Sequence, residues 1–359
     1  MSDQMDLFAA VDAQPHQAAG AAVLPDDPPP DRPAISLPSP QLGLFGLEEE
    51  RTSVKAGLLA QRYIVPPFTV LDAKQGYWQD RKRAWLALGL QSDLGRGDDL
   101  LWPKFSATAI APATVRKTVM SHITVGTAPE IRERFLAAGY SVSIFDPVLC
   151  EVLYSWFAPP SGLILDPFAG GSVRGVIAGV LSYKYLGVDL RPEQVEANTK
   201  QWKEIGNGKE GVEWVCGNSA EIAAMHGNCG PIYDFLLSCP PYGNLERYSD
   251  DPLDLSTMDY EKFLAVYSEI IQQSCGLLKP GCYACFVVAN FRGRDGDINN
   301  LVGDTIKAFA GAGLQFYNDA VLLTSIGSLP VRVEHHFTSG RKLGRAHQNV
   351  LVFRKADKQ

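Results

Sequence analysis

From about residue 144 onward the chain alternates short apolar runs with amphipathic stretches, and this alternation leaves few architectures open. Strands are expected at 162–166, 184–189, 212–216, 233–238, 281–289, 317–323 and 348–354. Helices are expected at 147–157, 172–181, 191–204, 259–277 and 299–312. That order predicts an α/β fold with a mostly parallel sheet covered on both faces and an antiparallel strand pair at the end. No repeat of domain size is present.

Two of the strand ends carry chemistry. The run Gly162-Leu-Ile-Leu165 leads into Asp166-Pro-Phe-Ala-Gly-Gly171, a glycine loop at the end of the first strand. Such a loop lets backbone approach a nucleotide-like ligand. The run Tyr233-Asp-Phe-Leu-Leu237 leads into Ser238-Cys-Pro-Pro-Tyr242, where two prolines stiffen the backbone and fix one carbonyl and one ring face. In a doubly wound sheet both turns open on the same cleft, beyond the carboxyl ends of the strands. Tyr185-Leu-Gly-Val-Asp189 ends the second strand in an acid that can accept hydrogen bonds from both ribose hydroxyls. Cys216-Gly-Asn-Ser219 ends the third, and Asn218 has the donor and acceptor needed to read an adenine edge. Read singly, these residues are a capping Asp166, an exposed Asp189 and a turn-forming Asn218; in register on successive strands they favour a nucleoside-type cofactor.

At this point the chain resembles the S-adenosyl-L-methionine-dependent DNA amino-methyltransferases, which methylate adenine N6 or cytosine N4. The resemblance covers about Ser143 to Lys355. The family's glycine motif is close to Asp-Pro-Phe-x-Gly-Ser-Gly, and here Gly171 and Ser172 stand in exchanged order. Ile144-Phe-Asp-Pro147 resembles the family segment over the methionine part of the cofactor. The resemblance implies a class I methyltransferase fold, S-adenosyl-L-methionine as cofactor, and a pocket lined by Phe145, Asp166, Phe168, Gly170, Gly171, Asp189 and Asn218. It implies catalysis by Cys239, Pro240, Pro241 and Tyr242. In the family the first of these positions is Asp, Asn or Ser; Cys239 has serine's shape but is a weak acceptor. The first motif side chain and the carbonyl after it polarise the target amine, so catalysis is positioning and electrostatics with no metal required. The cytosine-C5 enzymes place their nucleophilic cysteine after a proline, the reverse of Cys239-Pro240. Arg341, Lys342 and Arg345, in a basic segment before the last strand, are expected phosphate contacts or a solvated loop.

The length of 359 residues suits one large domain plus a smaller region, and 46% hydrophobic residues can supply its core. Nothing resembles a membrane span or a secretory leader, so a cytoplasmic protein is expected. The seven cysteines are read as free thiols: Cys282 and Cys285 lie three apart on a strand and face opposite sides. His335 and His336 are read as loop residues without a metal-ligand set.

The net charge of −7 argues against a nucleic-acid partner only until it is divided. Residues 1–50 hold nine acids and one base, Arg32, or −8, which leaves +1 for the remainder. Residues 51–145 carry thirteen basic against seven acidic residues. Phosphate binding depends on local positive faces, so DNA is an acceptable partner. Residues 1–50 are read as a disordered tail, 51–143 as a separate region of unassigned fold, and 144–356 as the catalytic domain. Arg81-Lys-Arg83, beside Tyr77, Trp78 and Trp85, is the candidate for sequence recognition, with Trp85 favoured as core.

Within the tail, Gln4-Met-Asp-Leu-Phe8 and Gln41-Leu-Gly-Leu-Phe45 share the pattern Gln-x-x-Leu-Phe. Both resemble the peptide by which bacterial replication and repair proteins bind the sliding clamp. Leu7 and Phe8, like Leu44 and Phe45, would fill an apolar pocket, with Gln4 or Gln41 bonding at its rim. The competing readings of the whole chain are an RNA guanine-N2 methyltransferase and a catalytically decayed DNA- or clamp-binding protein.

Overall fold

A computed structural model describes residues 58–91, 145–227, 229–243, 248–293, 295–324 and 329–357. The clamp-like peptides and residues 92–144 lie outside the described residues. In chain order the elements are α1 (Leu58–Tyr63), β1 (Val70–Asp72), α2 (Gly76–Leu86), α3 (Pro147–Phe157), β2 (Leu163–Asp166), α4 (Val173–Val180), β3 (Lys184–Asp189), α5 (Pro192–Ile205), β4 (Val212–Cys216) and α6 (Ile222–Met225). They continue with β5 (Tyr233–Ser238), α7 (Tyr260–Leu277), β6 (Leu278–Val288), β7 (Phe291–Arg292), β8 (Ile298–Asn299), α8 (Leu301–Gly311), β9 (Leu314–Leu323), α9 (Leu329–Gly340) and β10 (His347–Lys355).

Eight strands form one sheet in the order β1-β9-β10-β6-β5-β2-β3-β4. The pairs from β6 through β4 are parallel, and β10 runs antiparallel to both β6 and β9. This is the expected class I methyltransferase arrangement, a mostly parallel sheet with a terminal antiparallel pair. From β2 the chain winds outward to β3 and β4, and then crosses back to β5 and β6. The topological switch therefore falls between β2 and β5, where such sheets open a crevice for a ligand.

Local signals explain the elements. Pro147 and Pro192 sit in the first turns of α3 and α5, where a missing N–H costs nothing. Asp146 caps α3 by accepting from the Val148 and Leu149 amides at 3.0 and 3.2 Å. Asp259 and Asn300 cap α7 and α8 in the same way. A Cβ on Gly175 or Gly179 of α4 would overlap Trp214 and Tyr185, or Trp202 and Val212. Glycine there lets α4 lie flush on β3, β4 and α5. Behind the sheet, Phe309 stacks on Phe353 at 3.9 Å and meets Phe286 edge-on at 4.8 Å. All three rings are fully buried, each removal from water stabilising by about 1.5–3 kcal/mol.

Three expectations need correction. The strand expected at 281–289 begins earlier, at Leu278, with a register shift against β5. His335 and His336 belong to helix α9 rather than to a loop. The described part of 51–143 is continuous with the catalytic fold: β1 pairs in parallel with β9, Val70 opposite Val321. Helix α2 packs on α3, with Trp78 Nε1 donating to Asp146 Oδ1 at 3.1 Å and Trp85 Nε1 to Glu151 Oε2 at 2.8 Å. Arg81 forks onto Glu151, and Lys82 reaches Asp146 at 3.0 Å. Arg81 and Lys82 thus compensate the buried Glu151 and the Asp146 cap, which opposes their use in reading DNA. Trp78 and Trp85 are buried, while Tyr77 is exposed. Among the described residues no helix is long and apolar enough to cross a membrane.

Candidate active site

A cleft with a cavity of about 210 Å³ opens at the carboxyl ends of β2, β3, β4 and β5. One wall is the glycine loop with Phe145, Phe168, Gly170, Gly171, Asp189 and Asn218; the other is Cys239, Pro240, Pro241 and Tyr242. The two motifs, far apart in sequence, face one space.

Asp166 stands apart from this lining. It is fully buried beneath the loop and its acceptors are occupied. Oδ1 accepts from Ser238 Oγ at 2.5 Å and the Phe168 amide at 3.3 Å; Oδ2 accepts from Arg174 Nε at 2.5 Å and Tyr185 Oη at 2.8 Å. Ser238, turned away from the cleft by strand alternation, also accepts from the Phe168 amide at 3.1 Å. Burial, with Asp166 beside it, pushes the Tyr185 phenol well above its usual range, so it stays a neutral donor. This network ties the ends of β2, β3 and β5 together and holds the loop from below.

The loop turns at Gly170, whose φ of 49° lies in the left-handed region and where a side chain would meet no neighbour. Its amide donates to Asp189 Oδ2 at 2.9 Å, and its carbonyl accepts from Asn198 Nδ2 at 2.7 Å. Asp189 Oδ1 accepts from the Arg191 amide, also at 2.9 Å. Each carboxylate oxygen has one protein donor and a second lone pair to spare. Burial pushes the Asp189 carboxyl up to about 6, against the pull of these two amides. Asn218 caps a short turn, its Oδ1 accepting from the Ala220 amide at 3.0 Å, so its Nδ2 group is what it can offer a ligand.

On the facing wall, Tyr242 Oη accepts from Gln348 Nε2 at 2.9 Å and lies 3.7 Å from Cys239 Sγ. With the amide donating, the phenol proton is free to point at the thiol. Burial raises the Tyr242 phenol well above 10 and keeps it neutral. Of the basic segment, Arg341 is exposed and stacks on Phe337 at 5.3 Å. Arg345 bonds His347 at 3.2 Å and has Tyr242 and Arg292 as electrostatic neighbours. Lys342 lines a second cavity with Arg292, His336 and Leu343. Arg345 is thus at the Tyr242 side of the cleft, whereas Lys342 turns to the pocket beneath α9. No cluster of three metal-ligating side chains exists among the described residues, and their cysteines are free thiols.

Two cavity residues escaped the sequence reading. Gln348 gives no local sign, because its contact to Tyr242 spans 106 residues. Arg174 did give one: it is the only charge in the apolar helix Val-Arg-Gly-Val-Ile-Ala-Gly-Val, directly after the glycine loop.

No family model matches this sequence, and no curated protein matches it. Similar solved structures include an S-adenosylmethionine-dependent methyltransferase from Methanosarcina mazei, at 14% identity and a TM-score of 0.39, covering 60% of this chain and 100% of that one. The [4+2]-cyclase SpnF is 12% identical with a TM-score of 0.42, over 59% of this chain and 82% of its own. A Thermus thermophilus protein described as a candidate DNA modification methylase, complexed with S-adenosyl-L-methionine, is 20% identical with a TM-score of 0.30, over 40% and 55%. A fold does not by itself fix a reaction.

Proposed function

We propose that this protein is a methyltransferase that uses S-adenosyl-L-methionine to methylate the exocyclic amine of adenine or cytosine in DNA. One observation carries the reading: a glycine loop, the Asp189 carboxylate at a strand tip and a Pro-Pro-Tyr turn with a fixed aromatic ring line a single cleft at the β2/β5 switch point.

The residues present fit such a cofactor. Asp189 has one free lone pair on each oxygen for a ribose diol, and Gly170 and Gly171 allow backbone to approach it closely. Asn218 offers donors to a purine edge, and Phe145 flanks the methionine end. When bound, the cofactor supplies an electrophilic methyl group on a sulfonium. The chain supplies position. Tyr242 offers a ring face to the target base and steadies developing positive charge. The Pro240 carbonyl, held by the double proline, accepts a hydrogen bond from the amine and sharpens its lone pair. Cys239 contributes little as an acceptor, so the carbonyl carries more of this polarisation than in chains with Asp or Asn. A base within a duplex cannot reach the cleft, so a double-stranded substrate must be flipped. Arg345, beside Tyr242, is the proposed phosphate contact nearest the base, with Arg341 and Lys342 farther out. The tail peptides Gln4–Phe8 and Gln41–Phe45 are proposed clamp ligands.

The test is expression in a methylation-free host followed by modified-base mapping of host DNA. N6-methyladenine or N4-methylcytosine at a defined site is expected, and Tyr242→Ala should nearly abolish it while cofactor still binds. Modified tRNA with unmodified DNA would overturn the DNA assignment. Near-normal turnover by Tyr242→Ala would overturn the role of the ring.

A further inference from the structure

Arg174 is a buried cation with one arm unspent. It is the second residue of α4 and only 5% exposed. Nε pairs with Asp166 Oδ2 at 2.5 Å, while Nη2 reaches the Phe168 carbonyl at 2.6 Å, the Ala169 carbonyl at 2.9 Å and, more weakly, Asp166 Oδ1 at 3.5 Å. The guanidinium lies 4.7 Å from the centroid of the Phe145 ring. Burial by itself would lower its pKa, but Asp166 beside it reverses this and keeps it charged.

Nη1 has no acceptor among the described residues. Among the described residues the buried polar atoms without a partner are Trp214 Nε1, Ser274 Oγ and Arg354 Nε, and Nη1 is not one of them. An unpartnered atom outside that set touches solvent-accessible space, and the space that Arg174 lines is the cleft. Asp166 cannot serve Nη1, because its two oxygens already accept from Ser238, Tyr185 and the Phe168 amide as well as from Nε. Two N–H donors of a buried cation are therefore presented to a ligand cavity, an arrangement suited to an anionic oxygen.

We infer that Arg174 binds the α-carboxylate of the methyl donor's amino-acid arm, and that it thereby selects donors carrying an intact amino acid. The inference rests on the methyl-donor reading above. Within a nucleoside sulfonium carrying a methionine arm, the carboxylate is the only anionic group. Phe145, the guanidinium's stacking partner, stands on the side of the cleft already allotted to that arm. Asp189, allotted to the ribose, stands at the tip of β3, whereas Arg174 is anchored on Asp166 at the tip of β2, so the two ends of the ligand have separate anchors.

Calorimetry on the full chain tests this with S-adenosylhomocysteine, its decarboxylated counterpart and methylthioadenosine, which lacks the arm altogether. The wild type should bind S-adenosylhomocysteine roughly 10- to 100-fold more tightly than the decarboxylated compound, the span of a charge-assisted hydrogen bond. Arg174→Met should bring that ratio close to one while leaving methylthioadenosine binding within a fewfold of wild type. Arg174→Lys keeps a charge for Asp166 but loses the fork, and should give an intermediate ratio. Equal binding of the two compounds by the wild type would overturn the inference without any variant, so a misfolded Arg174→Met does not shield it. A preserved ratio in Arg174→Lys would overturn it as well. Failure of the wild type to bind S-adenosylhomocysteine at all would instead remove the methyl-donor reading.

Discussion

Replacing Asp189 by asparagine sets two effects of known sign against each other. The carboxyl is raised from 3.8 to about 6, chiefly by burial. Two units at about 1.4 kcal/mol each make its ionised form cost the fold about 3 kcal/mol above pH 6. The unfolded chain ionises first, so wild-type stability falls as pH climbs from about 4 to 6 and then levels off. Asparagine removes that cost, but it turns an NH₂ toward either the Gly170 or the Arg191 amide and loses a charge-assisted bond worth about 1.5–3 kcal/mol. The two effects nearly cancel at pH 7.5, so Asp189→Asn should unfold within about 1 kcal/mol of wild type by urea titration. Its stability should also lack the fall between pH 4 and 6. Binding should behave otherwise. A neutral amide holds a diol less well, so S-adenosylhomocysteine affinity should drop roughly tenfold or more at pH 7.5. Wild-type affinity should rise as pH passes upward through about 6, where the carboxylate forms, and the variant's should stay flat. An unchanged dissociation constant in Asp189→Asn would refute its role as the diol acceptor. A variant several kcal/mol less stable at pH 7.5 would refute the burial argument.

Gln348→Leu leaves the Tyr242 hydroxyl without its donor at 2.9 Å, and should lower stability by about 1–3 kcal/mol. If the bond holds the ring for the base, kcat falls while cofactor affinity stays put, and Gln348→Asn gives partial recovery; loss of cofactor binding instead would show a collapsed cleft. For the tail, residues 1–50 should retain a bacterial sliding clamp in a pull-down, with avidity from two peptides, and Phe8→Ala combined with Phe45→Ala should release it. No retention by the unaltered tail ends the clamp proposal.

The parts legible in the sequence were those with local causes. The strand of Leu163–Asp166 is an apolar run stopped by Pro167, and α5 follows a proline at its first turn. Asp189 could be placed at a strand tip because the run Tyr185-Leu-Gly-Val188 is apolar and ends on it. What misled was charge read by neighbourhood. Arg81-Lys-Arg83 looks like a nucleic-acid face, yet Glu151, 70 residues away, claims Arg81. Asp166 looks like a ligand contact by its place in the motif, yet it is enclosed by Ser238, 72 residues on.

By itself, then, the chain's order of residues determined the strand–helix alternation, the two strand-end turns and the chemistry each can support, because backbone preference and periodicity act over a few residues. Only the folded molecule decided which charges are spent and which remain for a ligand: Asp166 closed off beneath the loop, Arg174 left with one arm in the cleft, Gln348 brought to Tyr242. Those outcomes depend on sheet order and register, which bring together groups that no local rule connects.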